Sequence, residues 1–259
     1  MRDEGVKSAD RVLDLFELLT SAPDGLSFSH IASRLTWPKS STHALLRTME
    51  RRGYLSRNDA TRTFQIGIRL WEAGQAYRLH ADLALHALPA MQRVVDDIHE
   101  TVQLAVRDGR DNVYLAKVDS QQPMQLVSRI GSRIPSHGTG LGKVLLADLT
   151  DRELDALYVD ATLVRFTPNT ITDLARLKEV VNEVRRVGHA VDEEEFAIGL
   201  RCIAVPILGV QRRTMAALSC SIPSARLDAA KAQRTLTLLK QAAAEISRRM
   251  GAGLTPPAA

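Results

Sequence analysis

The chain reads as an α+β protein: an N-terminal winged helix-turn-helix, a linker helix, and a C-terminal antiparallel sheet with helices. Three observations predict this. Residues 28–53 carry two short apolar-faced helical patterns separated by Thr36-Trp37-Pro38, and two strand-like runs follow at 54–67. From Thr101 the hydrophobic period changes from three-to-four to two. Strand-like pairs at 101–118 and 202–222 bracket a block of helical patterns, an order that suits helices packed on one antiparallel sheet.

Composition narrows the class. The 259 residues are long for one domain and natural for two, and 45% hydrophobic content excludes wholesale disorder. The net charge of +4 is unevenly spread: residues 27–69 hold eight Lys and Arg against two Asp and Glu, whereas residues 1–26 hold three against six. A basic excess confined to the helix-turn-helix segment suits a phosphate backbone, where cationic side chains release condensed counterions. Cys202 and Cys220 show neither metal-ligand spacing nor a disulfide framework, as in a reduced compartment. No apolar run approaches the roughly 20 residues of a membrane helix, and no leader pattern precedes Val6. The expectation is a soluble cytoplasmic protein with no cofactor, no metal and no membrane partner.

The elements follow in order. A first helix over residues 8–20 places Ala9, Val12, Leu13, Phe16 and Leu19 on one stripe, and Ser21-Ala22-Pro23-Asp24-Gly25 breaks it. Ser27 is the expected N-cap of a second helix reaching Leu35. Pro38 suits the first position of the third helix, where its missing N–H costs nothing, and Gly53 suits a left-handed C-cap. Residues 54–57 and 62–67 form a hairpin around Asn58-Asp59-Ala60-Thr61. Residues 68–80 give a helix with apolar side chains almost all round, among them Ile68, Leu70, Trp71 and Tyr77. Such a helix needs cover, and a second copy of the chain would supply it.

A further helix over 83–99 places Leu85, Leu88, Met91, Val94, Val95 and Ile98 on one side. Strands are expected at 101–107 and 112–118 around Asp108-Gly109-Arg110-Asp111, with another at 124–130. Helices follow at 140–149, 151–158 and 173–187, strands at 202–208 and 214–222, and a last helix at 229–250. The expected division is a winged helix-turn-helix domain over 1–67, a linker helix over 68–82, a sheet-and-helix domain over 83–252 and a disordered Pro-rich tail over 253–259.

Two constellations carry chemistry. In the third helix, Lys39, Ser40, Ser41 and His43 occupy the start and Arg47 lies one turn beyond His43. Hydroxyls and Lys near a helix N-terminus donate to phosphates, and Arg47 can contact guanine through two hydrogen bonds. Arg51 and Arg52 are expected at the back. Arg57 and Arg62 flank the hairpin tip, where a wing meets phosphate or minor groove. With Ser27, these make the candidate DNA contacts Ser27, Lys39, Ser40, Ser41, His43, Arg47, Arg57 and Arg62.

The second constellation lies in the C-terminal half. The loop from Ile134 to Gly140-Leu141-Gly142-Lys143 leads into a helix, and its free N–H groups favour a small carboxylate. A phosphate loop would end Gly-Lys-Ser/Thr, whereas Val144 follows Lys143 here. Asp192-Glu193-Glu194-Glu195, taken with Cys202 and the strand pair Ser219 and Ser221, can rim a polar pocket. A competing reading is a hydrolase or transferase using Cys202 or Ser219 as nucleophile and His137 as base. No spacing sets a base beside a nucleophile or an acid beside His137, so no catalytic residue is expected.

With both halves read, the chain resembles the IclR family of bacterial transcription factors from about Val6 to Met250. Pro38-Lys39-Ser40-Ser41-Thr42-His43, with Leu45-Leu46 and Arg52-Gly53-Tyr54-Leu55, is similar to the family's recognition helix and wing entry. Gly188, Asp192, Glu195, Cys202-Ile203-Ala204 and Ile207 match its signature in the ligand domain. The chain departs from the family at Leu208-Gly209, where an aromatic or His and then Asp or Asn are usual. Ala44 stands where many members carry a long polar residue facing DNA, and Thr42 replaces a commonly aliphatic one.

The resemblance implies a GAF/PAS-like effector domain of sheet and helices. It also implies binding to an operator in double-stranded DNA, modulated by a small organic acid or aromatic catabolite, and assembly as a homodimer or homotetramer. It implies effector contacts at Gly140, Leu141, Asp192, Leu200, Cys202, Ser219 and Ser221, with an apolar wall near Met124 and Val127.

Overall fold

A computed structural model describes residues 6–75, 78–122 and 129–251, in two compact units over 1–78 and 79–259. The first unit runs α1 (Lys7–Thr20), β1 (Leu26–Ser27), α2 (Phe28–Leu35), α3 (Lys39–Arg51), β2 (Leu55–Asn58), β3 (Thr63–Ile66) and α4 (Ile68–Gln75). Its core is Leu15, Leu19, Ile31, Leu46, Met49, Leu55 and Phe64. Leu13, expected on the apolar stripe, is 59% exposed, and Leu15 takes the inner position. The three strands form an antiparallel sheet ordered β1-β3-β2, with Leu26 and Arg57 both opposite Phe64. Two residues carry too little periodicity for β1 to be read from sequence.

The helix ends are set locally. The Ser27 hydroxyl accepts from the His30 N–H at 3.3 Å and caps α2. Pro38 is the N-cap of α3 rather than its first helical residue: its ψ of 131° is extended, and its carbonyl accepts from the Thr42 N–H and hydroxyl, each at 3.0 Å. The stop matches expectation, with Gly53 at φ +76°. The Gly53 N–H donates to Glu50 and the Tyr54 N–H to Met49, each at 2.9 Å, a Schellman closure. On α4, Ile68 and Trp71 are 66% and 63% exposed in the single chain.

The second unit runs α5 (Arg78–Ile98), β4 (Thr101–Asp108), β5 (Asp111–Val118), β6 (Arg133–Pro135), α6 (Gly140–Leu146), α7 (Asp151–Tyr158), α8 (Leu174–Val187), β7 (Ala190–Glu193), β8 (Leu200–Leu208), β9 (Thr214–Pro223) and α9 (Ala229–Arg249). The strands make one antiparallel sheet ordered β6-β5-β4-β9-β8-β7. One face is apolar: Val102, Leu104, Val205, Leu218 and Ile222 pack against α5 and α9 through Met91, Val94, Leu239 and Ile246. Burying that many aliphatic side chains, each contributing about 1.5–3 kcal/mol, gives the unit its stable base.

Several expectations are corrected. α5 begins at Arg78, five residues before the helix start expected at Leu83. Leu85 and Leu88, expected in its buried stripe, are 69% and 40% exposed. The buried positions are Leu83, Ala87, Ala90, Met91, Val94, Val95 and Ile98, which follow the helical period from a different start. α6 ends at Leu146 rather than Leu149, and the acidic run at 192–195 is partly a strand, β7. The strand expected at 124–130 lies largely on residues 123–128, outside the described residues, as does the tail at 253–259. The edge strand β6 was not foreseen.

α6 positions everything that follows. It packs on β4, β5, β7, β8 and β9, yet seven residues span only about 10 Å. Five strands laid flat would spread over about 19 Å, so the sheet curls around this helix. Gly142 lets the helix fold back against the turn that precedes it: a Cβ there would lie 2.0 Å from the Ser136 carbonyl oxygen.

Candidate DNA interface and effector site

On α3, Thr42, Leu46 and Met49 are buried, which turns Lys39, Ser40, His43, Ala44, Arg47, Thr48 and Arg51 outward. Ser40, His43, Arg47 and Arg51 recur at helical spacing along one groove, so Arg51, expected at the back, shares the face of Arg47. The Ser41 hydroxyl donates to the Pro38 carbonyl at 2.9 Å and is committed to the helix start. The Ser27 hydroxyl is committed to capping α2. His43 meets Phe28 edge-on at 6.0 Å between ring centres, which orients the imidazole.

The hairpin stands beside this helix. His43, Arg47, Glu50, Arg57 and Phe64 line a cleft of about 260 Å³ between them. Arg57 lies over the Phe64 ring at 6.0 Å and 3.6 Å from Asp59. Asn58 Oδ1 accepts from the Ala60 and Thr61 N–H groups at 3.0 and 3.3 Å and fixes the tip. Arg62 adopts φ +53° at that tip and is exposed. A basic helix face beside a basic turn is the arrangement that places one in a groove and the other on flanking phosphate.

In the second unit, strand register assembles the polar residues. Asp192 lies opposite Cys202, Cys202 opposite Ser221, and Ser221 opposite Thr101. The next row on the same face is Ala190, Ala204, Ser219 and Gln103. Four strands thus give a polar floor on the face that carries α6. Ser221 donates to Gln103 Oε1 at 2.9 Å, the Ser219 hydroxyl stands 3.5 Å from the same oxygen, and Cys202 Sγ lies 3.1 Å from Ser221 Oγ. Ser219 and Ser221 are buried rather than an outward-facing pair.

The first turn of α6 forms the wall. A Cβ on Gly140 would meet the Cys202 carbonyl oxygen at 3.5 Å and the Asp192 nitrogen at 3.6 Å, so the loop glycine lies against the floor. Thr139 caps the helix by accepting from the Gly142 N–H at 3.0 Å. Leu141 is buried beside Tyr114, Ala105 and Ala204, and Leu200 is half-buried at the start of β8. Met124 and Val127 lie outside the described residues.

Charge in this site is unusual. Lys143 is 1% exposed, donates to the Val191 carbonyl at 2.6 Å and pairs with Glu195. Glu195 keeps its second oxygen buried without a hydrogen-bond partner among the described residues. Asp192 Oδ1 accepts from the Glu195 N–H at 2.7 Å. Burial pushes Asp192 up to about 7; the Glu195 N–H and the Lys143 charge oppose the shift, and the Glu195 charge adds to it. Burial, then the charges of Cys202 and Asp192, raises the Tyr114 phenol as well. Lys143, Glu195 and Tyr114 were not singled out from sequence as members of this site. The signal for Lys143 and Glu195 was their place in motifs already noted, whereas Tyr114 gave none.

The arrangement does not assemble a nucleophile. His137 Nε2 bonds the Val164 carbonyl at 2.9 Å, and the hydroxyls of Ser219 and Ser221 turn to Gln103. Burial raises the Cys202 thiol, which disfavours the thiolate. Among the described residues no group of His, Cys, Asp and Glu is placed to hold a metal, and no helix is long and apolar enough to cross a membrane.

Comparison with known proteins accounts for both halves. The IclR helix-turn-helix domain matches residues 8–59, and the bacterial transcriptional regulator IclR C-terminal domain matches residues 75–248. The HTH-type transcriptional regulator XynR of Escherichia coli is 32% identical, with 95% of this chain and 98% of XynR covered. The HTH-type transcriptional repressor AllR of Salmonella paratyphi A is 32% identical, over 99% and 93%. The crystal structure of an IclR homolog from Microbacterium hydrocarbonoxydans, complexed with 4-hydroxybenzoate, superposes with a TM-score of 0.84 at 26% identity, over 94% of this chain and 98% of that one. The basic winged helix and the curled sheet with its polar floor are thus the two halves of a member of the IclR family of bacterial transcriptional regulators.

Proposed function

We propose that this regulator binds an operator through α3 and the β2–β3 hairpin, and that a small organic acid held on the polar floor changes that binding. Lys39, Ser40, His43 and Arg47 are the helix contacts, and Arg57 and Arg62 the wing contacts. Gly140, Leu141, Asp192, Leu200, Cys202, Ser219 and Ser221 form the effector site, with Met124 and Val127 as its apolar wall. The observation that carries the effector reading is the row Asp192, Cys202, Ser221 set across three strands under the glycine-led start of α6. A polar floor facing a helix N-terminus suits a carboxylate. The 4-hydroxybenzoate held by the Microbacterium hydrocarbonoxydans homolog favours an aromatic acid.

The proposed division is a DNA-binding domain over 1–67, a linker over 68–82 and an effector domain over 83–252, acting in the cytoplasm. Exposed Ile68 and Trp71 support pairing of copies into a homodimer or homotetramer, since apolar side chains of that size gain by being covered. A thermal-shift screen of small carboxylates and aromatic acids tests the effector reading, because a ligand that binds only the folded state raises apparent stability. The expected result is a shift lost in Asp192→Ala and in Ser219→Ala. A shift unchanged in both would place the site elsewhere.

A further inference from the structure

The second unit carries another cleft, of about 460 Å³, between the β4–β5 turn and the loop that follows α7. None of its lining residues belongs to the floor or to the first turn of α6. Its acids are already matched: Asp108 and Asp111 both receive Arg133, at 2.8 and 3.4 Å. Arg110 is different. Ser136 donates to its backbone carbonyl at 2.8 Å and anchors the residue, while its guanidinium is exposed with no ion pair among the described residues. The Arg107 guanidinium, bonded to the Gly109 carbonyl at 3.0 Å, adds positive charge to the same turn.

Deeper in the cleft, Tyr158 is 4% exposed and its hydroxyl has no hydrogen-bond partner among the described residues. A buried donor without an acceptor is destabilising, and a ligand oxygen would relieve it. Tyr158 shares the cleft lining with Arg110 and Asp111 of the β4–β5 turn; burial pushes its phenol up to about 12, with smaller effects from the charges of Arg110, Asp111 and Arg107. Pro135, Leu163 and Val164 supply an apolar wall.

We propose that this cleft is a second binding site, separate from the effector floor, for a small monocarboxylic acid with an apolar body. Arg110 and the Tyr158 hydroxyl take the two carboxylate oxygens, and Pro135, Leu163 and Val164 cover the body. A dianion such as phosphate fits less well, because Asp108 and Asp111 line the cleft beside Arg110 and already hold Arg133. The volume lies within the usual range of small-molecule sites.

The test uses 4-fluorobenzoate and the full chain, followed by fluorine NMR line broadening and by calorimetric stoichiometry. The expected result is two acids bound per wild-type chain and one in Arg110→Gln. In Ser219→Ala/Ser221→Ala, the remaining binding should weaken about tenfold when Arg110→Gln or Tyr158→Phe is added. Tyr158→Phe removes an unpaired hydroxyl, so its melting temperature should not fall. Replacing the acid by 4-fluorobenzamide should weaken the second site similarly. One equivalent in the wild type that persists in Arg110→Gln, no binding left in Ser219→Ala/Ser221→Ala when that protein melts like the wild type, or second-site binding indifferent to Arg110→Gln and Tyr158→Phe would each overturn the proposal.

Discussion

The Asn112 side-chain amide on β5 donates to the Thr139 hydroxyl at 2.6 Å, and its carbonyl oxygen accepts from the Ser136 hydroxyl at 2.8 Å. One buried amide therefore holds both ends of the turn that delivers Gly140 to the opposite side of the sheet. Asn112→Ala leaves the buried Ser136 hydroxyl without its acceptor, while Thr139 keeps the Gly142 N–H, and should cost about 1–3 kcal/mol, read as a fall in the denaturant midpoint of the C-terminal unit. Gly142→Ala should cost more, since its Cβ would meet backbone rather than a yielding side chain. A Gly142→Ala protein with the parent's midpoint would contradict the close approach of α6 to that turn.

The Lys143–Glu195 pair is the next test. Removing one partner of a buried pair leaves an uncompensated charge, typically a loss of about 3–5 kcal/mol. Lys143→Met should show this, because it leaves Asp192 and Glu195 as neighbouring buried acids with no cation. Adding Glu195→Gln should recover most of the loss, and a double variant no more stable than Lys143→Met would argue against direct coupling. Urea denaturation of the four proteins in this cycle supplies the comparison.

Asp192 gives a pH dependence whose sign follows from its environment. Its folded pKa of about 7 lies above the ordinary 3.8, so the buried site prefers the neutral acid. The stabilising contribution is complete below about pH 4 and is lost as pH rises through 7. Lys143 from α6, Glu195 after β7, Cys202 on β8 and Tyr114 on β5 act on or respond to this carboxyl. Asp192→Asn should therefore match the parent near pH 4 and melt at a higher temperature near pH 8. Equal melting temperatures at pH 8 would show that Asp192 is ionised at no cost.

Much of this architecture was legible in the sequence because local signals set it. Ser27, Gly53 and the Asn58 turn are caps and turns whose chemistry lies within a few residues, and the structure places each as expected. Ser219 and Ser221 share a strand face by their spacing alone. What sequence left open is long-range. The row Asp192–Cys202–Ser221 depends on the register of three strands, and Tyr114 reaches the same site only because the sheet curls around α6. Lys143 appeared as part of a glycine loop, with nothing local to say that it would be buried against Glu195. The exposed Leu85 and Leu88 show a further limit, since several apolar residues on one helix admit more than one buried stripe.

The last prediction separates reading from positioning in the DNA interface. Arg47 lies on the exposed face of α3 with Ser40 and His43, whereas Arg62 stands at the tip of the β2–β3 turn. A guanidinium in the major groove discriminates bases, with about 1–3 kcal/mol at stake for a two-bond contact to guanine. A guanidinium on phosphate contributes equally to every sequence and releases about one counterion. Arg47→Ala should therefore weaken operator binding more than binding to scrambled duplex and relax preference at one or two positions. Arg62→Ala should weaken both duplexes alike and reduce the salt slope by about one. Fluorescence anisotropy with operator and scrambled duplexes at several salt concentrations measures all four quantities. An equal loss on both duplexes in Arg47→Ala would assign that residue to the backbone and leave base reading to its neighbours His43 and Thr48.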